Sequence, residues 1–185
     1  MRNNLIIGLF FCLACAQIIT PLSMLTNRES ILKSGAQFKF KTEPVDPYDA
    51  FRGRYVALRI QGNNAPAPQG VKLNSGQSVY ALINNDEQGF AKITSLTTSR
   101  PAGSAYILAK VRYSAGERVV LDLPIDRYYM EEKSAPKAER LYREHSRRGN
   151  EDAYVVIRVK NGLVVIEALY VGGKRIEDAV KEDRK

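Results

Sequence analysis

An uncharged apolar segment near the N-terminus constrains this chain more than any other feature. The run LIIGLFFCLACAQIITPLSML, residues 5–25, contains no charged side chain. As a helix with a rise of about 1.5 Å per residue, it is long enough for the ~30 Å hydrocarbon core of a bilayer. The segment therefore predicts a single membrane-spanning helix. Arg2 and the free amine before it predict a cytoplasmic N-terminus and an exported remainder, although Arg28 and Lys33 beyond it weaken this charge bias.

Two alternatives to a retained anchor remain open at this point. A cleaved signal peptide could use the small residues Ala14-Cys15-Ala16, and a lipoprotein signal could use Cys15 as the lipid-bearing residue. Because the apolar run continues well past a short signal-peptide core, as far as Leu25, the retained anchor is the favoured interpretation. We expect an anchor over residues 1–26, an exported domain over residues 27–176 and a charged tail over residues 177–185.

The cysteines and the net charge narrow the chemistry of the exported part. Cys12 and Cys15 are the only two cysteines, so residues 26–185 contain no thiol for a disulfide or a thiolate site. Their C-x-x-C spacing is interpreted as two small apolar residues in a membrane helix, because a thiolate is strongly disfavoured in hydrocarbon. The formal net charge of +8 favours anionic partners.

Beyond the anchor, apolar residues recur mainly with a period of two, which is typical of strands. Phe38 and Phe40 alternate with lysines, and QSVYALI and FAKITSL have the composition of further strands. AYILAKVRY and ERVVLDLPI predict a hairpin around Gly116. AYVVIRVK and LVVIEALY predict a second hairpin, because the Asn161-Gly162 pair between them suits a two-residue turn with positive φ at both positions.

One good helix interrupts these strands, within SAPKAERLYREHSRRGN. Ser134 is a candidate N-cap, Pro136 falls in the first turn, and Gly149 supplies a stop. The apolar stripe of this helix contains Ala138, Leu141, Tyr142 and His145. The segment IEDAVKEDRK is predicted as frayed helix or coil, and QGNNAPAPQG, residues 61–70, as an exposed loop.

These elements predict a mainly β domain, a barrel or sandwich-like fold, with one main α-helix in addition to the N-terminal transmembrane helix. A weak internal repeat suggests an alternative. Pro44-Val45-Asp46 followed by Tyr48 recurs as Pro124-Ile125-Asp126 followed by Tyr128. An α+β fold built from two related strand–crossover–strand halves would explain the repeat, and so would coincidence, because Pro-x-Asp is common at strand ends.

The stretch EPVDPYDAFRGRYVALRI, residues 43–60, has the composition of a corner between two strands. Asp46 is placed to cap a short turn that begins at Pro47, and Gly53 gives the chain the freedom to leave it. Val56, Leu58 and Ile60 then share one face of a strand. The folding of this corner does not explain why the stretch contains three arginines, Arg52, Arg54 and Arg59.

This stretch resembles the bacterial membrane-anchored proteins named for the motif Gly-Asp-Tyr-x-x-Leu-x-Tyr. Gly53, Tyr55 and Leu58 match the motif, whereas Arg54 stands for its Asp and Ile60 for its last Tyr. The preceding family pattern, Pro-Val-Asp-Pro and an Arg before the Gly, is present as Pro44, Asp46, Pro47 and Arg52. The similarity also covers the anchor, NRESILKSG, RYYMEEKSAPKAERLYRE and the closing hairpin.

The resemblance implies an envelope protein of uncharacterised molecular function, often encoded beside or fused to multi-pass membrane proteins. It implies a single-pass protein of the bacterial inner (cytoplasmic) membrane, whose domain faces the periplasm or the exterior. Any family role that rests on a carboxylate after Gly53 would be lost here, because Arg54 reverses the charge.

The residue inventory argues against an enzyme. Residues 26–185 hold no Cys and a single His, His145, on the apolar stripe of a helix, which leaves few nucleophile or zinc sites. We expect no catalytic residue, no metal and no cofactor. The alternative is an exported hydrolase that uses a Ser–Lys dyad or an acid pair. Its candidates are Ser78, Ser95 and Ser114, Asp46 with Asp49, and Glu131 with Glu132.

Binding is the favoured function. The basic residues Arg52, Arg54 and Arg59 lie close in sequence to aromatic side chains, and Tyr48 and Tyr128 are the aromatic candidates. Lipid head groups or an anionic envelope polymer fit such a patch, whereas nucleic acid is not expected outside the cytoplasm. A plain structural role for the same residues is the competing interpretation. We expect an accessory or binding protein that works with a multi-pass membrane partner.

Overall fold

The computed structural model describes residues 2–43, 55–68, 70–147 and 149–183, with only the backbone described for residues 2–6. A long N-terminal helix, α1 (Arg2–Ser34), leads into a strand-rich domain. The elements that follow are β1 (Ala36–Glu43), β2 (Tyr55–Ala57), β3 (Arg59–Ile60), β4 (Asn64–Pro66), β5 (Ser78–Asn85), β6 (Ala91–Thr97), β7 (Tyr106–Ala115), β8 (Arg118–Asp122), β9 (Arg127–Tyr129), α2 (Ala135–Ser146), β10 (Tyr154–Lys160), β11 (Leu163–Val171), β12 (Lys174–Arg175) and α3 (Ile176–Glu182).

Helix α1 has the length and composition of a membrane span. Its stretch Ile7–Ser34 is 28 residues long, and the most apolar part of this stretch has a mean hydropathy of 1.9 and no residue buried in the domain. A signal sequence near the N-terminus would have the same properties. The helix continues beyond residue 26 to Ser34, and its last turns pack on the domain and bury Ile31.

Two five-stranded sheets form the domain, with strand orders β12-β11-β10-β1-β3 and β4-β8-β7-β5-β6. Strands β2 and β9 pair with each other in a separate two-stranded ribbon. A parallel bridge between Ile107 and Gly162 links one sheet to the other, and Leu108 N donates to Gly162 O over 2.9 Å. The sheets thus approach a closed barrel. The prediction of a mainly β fold of this kind is confirmed.

Both predicted hairpins are present. Strands β10 and β11 pair from Tyr154 with Tyr170 to Lys160 with Leu163, around Asn161 at φ 53° and Gly162 at φ 81°. Strands β7 and β8 pair up to Ala115 with Arg118.

The core lies between the sheets and under α2. Val56, Leu58 and Ile60 are all buried, as their shared face predicts, and Phe40 of β1 joins the same cluster. Alternation within each strand explains why the intervening residues remain outside.

Helix α2 begins after Ser134 and ends at Ser146, close to the predicted limits. Ser134 occupies the N-cap position without a side-chain cap bond; its hydroxyl instead donates to the carboxylate of Glu131 over 3.3 Å. Ala138 and Tyr142 are buried and Leu141 and His145 are half-buried, so the predicted stripe faces the core.

Two segments differ from their predictions. Residues 61–70 do not form a loop throughout, because β4 pairs with the edge of β8 and buries Ala65 completely. An edge position tolerates Pro66, which has no N–H to donate. The residues after β12 form α3, which is more than a frayed tail because Ile176 and Val180 are buried. The Pro44–Asp46 corner lies outside the described residues, so the two-halves alternative stays a prediction.

Candidate functional site

The junction between α1 and the domain is short and tightly packed. Gly35 follows the helix directly, and β1 begins at Ala36. A Cβ at Gly35 would stand 3.1 Å from Val159 O and 2.5 Å from Ile31 O, so only glycine allows this approach. Lys160 Nζ donates to the hydroxyls of Ser30 and Ser34, each over 2.8 Å. Arg158 Nη1 donates to Gly35 O over 3.2 Å. The helix therefore joins the domain without a flexible linker.

A groove of about 730 Å³ opens beside this junction. One wall is the outer part of α1, with Met24, Asn27 and Arg28, and the other is formed by β9, the start of β11 and Leu108 of β7. Leu108 and Leu163 are 42% and 45% exposed, although both are large apolar side chains. The groove is thus mainly apolar, with charged groups at its rim.

The outer face of the β2–β9 ribbon extends this groove with tyrosine and arginine. Tyr55 pairs in register with Tyr129, and their rings meet edge to face with centroids 5.7 Å apart. The Arg127 guanidinium lies 5.2 Å from the centroid of the Tyr55 ring. Tyr129 is 63% exposed. Such amphipathic aromatic side chains are typical of interfaces with one apolar and one aqueous side.

The inner face of the ribbon has a different role. Tyr128 donates its hydroxyl hydrogen to Glu177 Oε1 in the first turn of α3. Burial and the neighbouring Glu177 carboxylate raise the pKa of Tyr128, because both disfavour a phenolate. Among the described residues, Glu177 Oε2 is buried without a hydrogen-bond partner. Tyr128 therefore ties the ribbon to α3.

The carboxylates at the rim of the groove are already paired. Asp126 Oδ2 accepts from Arg127 Nε at 3.3 Å, and Glu167 Oε2 from Arg158 Nε at 2.6 Å. The hydrogen bond from Arg158 holds the pKa of Glu167 below its ordinary value, with a smaller contribution from Gln37. Arg28 is exposed, and within the described ranges it has no such partner. Arg28 is thus the cation at the rim that has no carboxylate partner among the described residues.

The structure describes only four of the predicted site residues, Tyr55, Leu58, Arg59 and Tyr128. The rest, Pro44, Asp46, Pro47, Tyr48, Arg52, Gly53 and Arg54, lie outside the described residues. Of the four, Tyr55 is on the outer face of the ribbon, whereas Leu58 is buried and donates its N–H to Asp126 O over 2.8 Å. Arg59 lines a separate cavity of about 300 Å³. Tyr128 lies at the groove, so Arg59 and Tyr128 do not share one described cavity.

Among the candidates of the hydrolase alternative, the structure places the three serines on separate strands. Ser78, Ser95 and Ser114 lie exposed on three different strands, and Asp46 with Asp49 lies outside the described residues. His145 Nδ1 is 2.7 Å from Asp152 Oδ1, at the end of α2. The lysine–serine contact that does form, Lys160 with Ser30 and Ser34, fastens α1 to β10. No group of three potential metal ligands occurs in the part of the chain that the structure describes.

Several residues of the groove were not predicted as site residues from the sequence. Leu163 begins a strand that is mostly apolar, so its sequence context does not mark it as exposed. Leu108 has a weak signal, because it shares the outward face of β7 with Lys110 and Arg112. Arg28 has a usable signal, because it is the first charged residue after the apolar segment. Tyr129 also has one, since adjacent tyrosines in a strand place one ring on each face.

Comparison with protein families gives one match to this chain. The model of the family described as "GDYXXLXY protein" matches residues 17–169, which is most of the chain. Neither the curated proteins nor the solved structures contain a match to it.

Proposed function

The chain belongs to the GDYXXLXY family, and we propose that it is a membrane-anchored accessory protein that works with a multi-pass membrane partner. In this proposal α1 spans the inner membrane with its N-terminus in the cytoplasm. The domain then faces the periplasm or the exterior.

The polar side chains within α1 support a lipid environment. Thr20 Oγ1 donates to Ala16 O over 2.8 Å, and Ser23 Oγ to Thr20 O over 2.7 Å. Since hydrocarbon offers no hydrogen-bond partners, hydroxyls that bond to their own helix are the arrangement that a bilayer requires. The large apolar side chains of α1 from Ile7 to Leu25 are all exposed, so they need lipid or another membrane helix to cover them.

The junction at Gly35 is the observation that carries the accessory role. If the domain only had to stay near the membrane, a flexible linker between the helix and the domain would be sufficient. Here Ile31 is buried, Gly35 permits contact with β10, and Lys160 clamps the last turns of the helix. This construction holds the domain at one height and one orientation relative to the span. A fixed orientation is useful when the counterpart is itself held in the membrane.

An insertion at the junction tests this proposal. Four Gly-Ser residues placed after Gly35 would keep both the anchor and the domain but release their relative orientation. The matched control carries the same insertion between Ala102 and Gly103, in an exposed turn. Extraction in mild detergent, affinity purification and mass spectrometry should recover a multi-pass protein with the wild type and the control. We expect recovery to fall at least tenfold with the junction insertion.

Two results would contradict the accessory role. One is that the wild type recovers no membrane protein. The other is that the junction insertion retains the partner as well as the control does, which would make the fixed orientation irrelevant. The hydrolase alternative stays a prediction, and no observation on the described residues favours it over the accessory role.

A further inference from the structure

The groove beside α1 lies at the height of lipid head groups, provided that α1 spans a membrane as proposed above. Leu25 ends the apolar segment, and Arg28 follows it by about 4.5 Å along the helix axis. Ile31, which packs on the domain, follows Leu25 by about 9 Å. The head-group layer on each side of a bilayer is about 5 to 8 Å thick. Arg28 therefore falls within that layer, and the domain begins at its outer edge.

The strand directions bring the β10–β11 turn back toward the membrane. β1 leads away from α1, and β10 returns antiparallel to it, with Ala36 opposite Val159. The turn at Asn161 and Gly162 therefore extends past the start of β1, alongside the last turns of the helix. Leu163, the first residue after this turn, lines the same groove as Met24 of α1. An exposed leucine is thus held beside the end of the apolar span.

Charge and polarity in the groove match an anionic amphiphile. Asp126 and Glu167 are paired with Arg127 and Arg158, so the cation of Arg28 is the uncompensated charge at the rim. Leu108 and Leu163 form an apolar wall on the domain side, and Tyr129 adds a ring with a polar tip. A phosphate on the Arg28 side and an acyl chain on the leucine side would satisfy both surfaces at once.

The position of the groove favours a lipid over a helix of a partner protein. The groove is continuous with the exposed surface of α1, where lipid is the immediate neighbour in a membrane. Its volume of about 730 Å³ falls within the range of small-molecule sites.

We propose that this groove binds one anionic phospholipid, with its phosphate at Arg28 and its upper acyl chain against Leu108 and Leu163. A lipid in this position would fill the apolar space between α1 and β11.

Native mass spectrometry of the full-length protein, released from micelles with equal amounts of phosphatidylglycerol and phosphatidylcholine, tests this proposal. We expect the wild type to retain one phosphatidylglycerol. Arg28→Gln should weaken that retention about tenfold, and Leu163→Asn should weaken it in the same direction. Arg118→Gln removes one exposed positive charge from β8, at a residue that lines a different cavity, and should leave retention unchanged. Near-UV circular dichroism of each variant checks that the domain is folded.

Three results would overturn the lipid proposal. The first is equal retention of the two lipids, and the second is that Arg28→Gln and Arg118→Gln weaken retention equally. The third comes from a photo-reactive residue introduced at position 163: cross-linking in native membranes to a protein and not to lipid would contradict the proposal. The spectrometric measurement uses purified protein without a partner. A lipid result is therefore independent of the pull-down, and either proposal can fail while the other holds.

Discussion

The ring of Tyr106 lies so close to Gly162 that a Cβ at Gly162 would stand 2.5 Å from the tyrosine Cε2. The two residues belong to different sheets, and the contact occurs where the sheets join. Arg100 strengthens this joint, because its Nε donates to Tyr106 Oη over 2.8 Å and its Nη2 to Asn161 Oδ1 over 3.3 Å. The hairpin turn of β10 and β11 is therefore also the point at which the barrel closes.

Gly162→Ala should destabilise the domain strongly. Its φ of 81° is strained for alanine, and its Cβ would collide with the ring of the buried Tyr106. Together the two effects should cost about 3 kcal/mol. For a chain of this size that corresponds to a decrease in Tm of on the order of 5 to 10 °C. Thermal unfolding of the full chain in micelles, followed by near-UV circular dichroism, measures the change.

Gly116→Ala is the matched control for this prediction. Gly116 also has a positive φ, 61°, but a Cβ there would meet nothing within 4 Å. The control should cost only about 1 kcal/mol, because backbone strain is its only penalty. Equal losses in the two variants would show that the contact with Tyr106 does not matter.

The hairpin at Asn161 and Gly162 shows which features the sequence can predict and which it cannot. The two residues specify the turn locally, so the hairpin and the burial of Val56, Leu58 and Ile60 follow from spacing alone. The contact with Tyr106 joins residues far apart in the chain, and no local pattern contains it. The same limit applies to β4, whose strand character comes from pairing with β8.

The groove was not predicted from the sequence. The predicted basic residues were Arg52, Arg54 and Arg59, and of the predicted binding residues only Tyr128 is described at the groove. The groove itself depends on how α1 meets β10, and it brings together Arg28, Leu108 and Leu163, which are distant in sequence. Arg59 is close to Tyr55 in the chain but lines another cavity, because the ribbon and β3 diverge after Leu58.

Ile176→Ala tests whether α3 belongs to the domain. Ile176 is fully buried at the start of this helix, so its truncation should cost about 3 kcal/mol through lost burial and a residual cavity. Val71→Ala serves as the control, because Val71 is 41% exposed and should cost well under 1 kcal/mol. Urea unfolding of both variants gives the comparison. A loss in Ile176→Ala as small as in the control would mean that residues 176–182 are a detachable tail.

A double-mutant cycle on Tyr128 and Glu177 should detect their hydrogen bond as a coupling. Tyr128→Phe leaves both carboxylate oxygens of Glu177 without this donor, in a site where Oε2 is already unpartnered. We expect each of Tyr128→Phe and Glu177→Ala to destabilise the domain, and the pair to be less than additive by about 1 to 2 kcal/mol. Additive losses, measured by urea unfolding, would show that Tyr128 acts only through packing.

Glu167→Gln should remove a pH-dependent part of the stability. Arg158 holds the pKa of folded Glu167 below its ordinary value of 4.5. The group therefore stabilises the fold at pH values above 4.5, and this contribution is lost as the pH falls through the folded pKa. Because the two side chains are only 26% and 33% exposed, the variant should lose about 1 kcal/mol at neutral pH and little in acid. Urea unfolding at a series of pH values from about 7 down to about 3 measures how this contribution declines.

Glu87→Gln is the control, since Glu87 is exposed and forms no ion pair within the described ranges. A loss in Glu167→Gln that is the same across this pH range would exclude the ion pair with Arg158 as its cause.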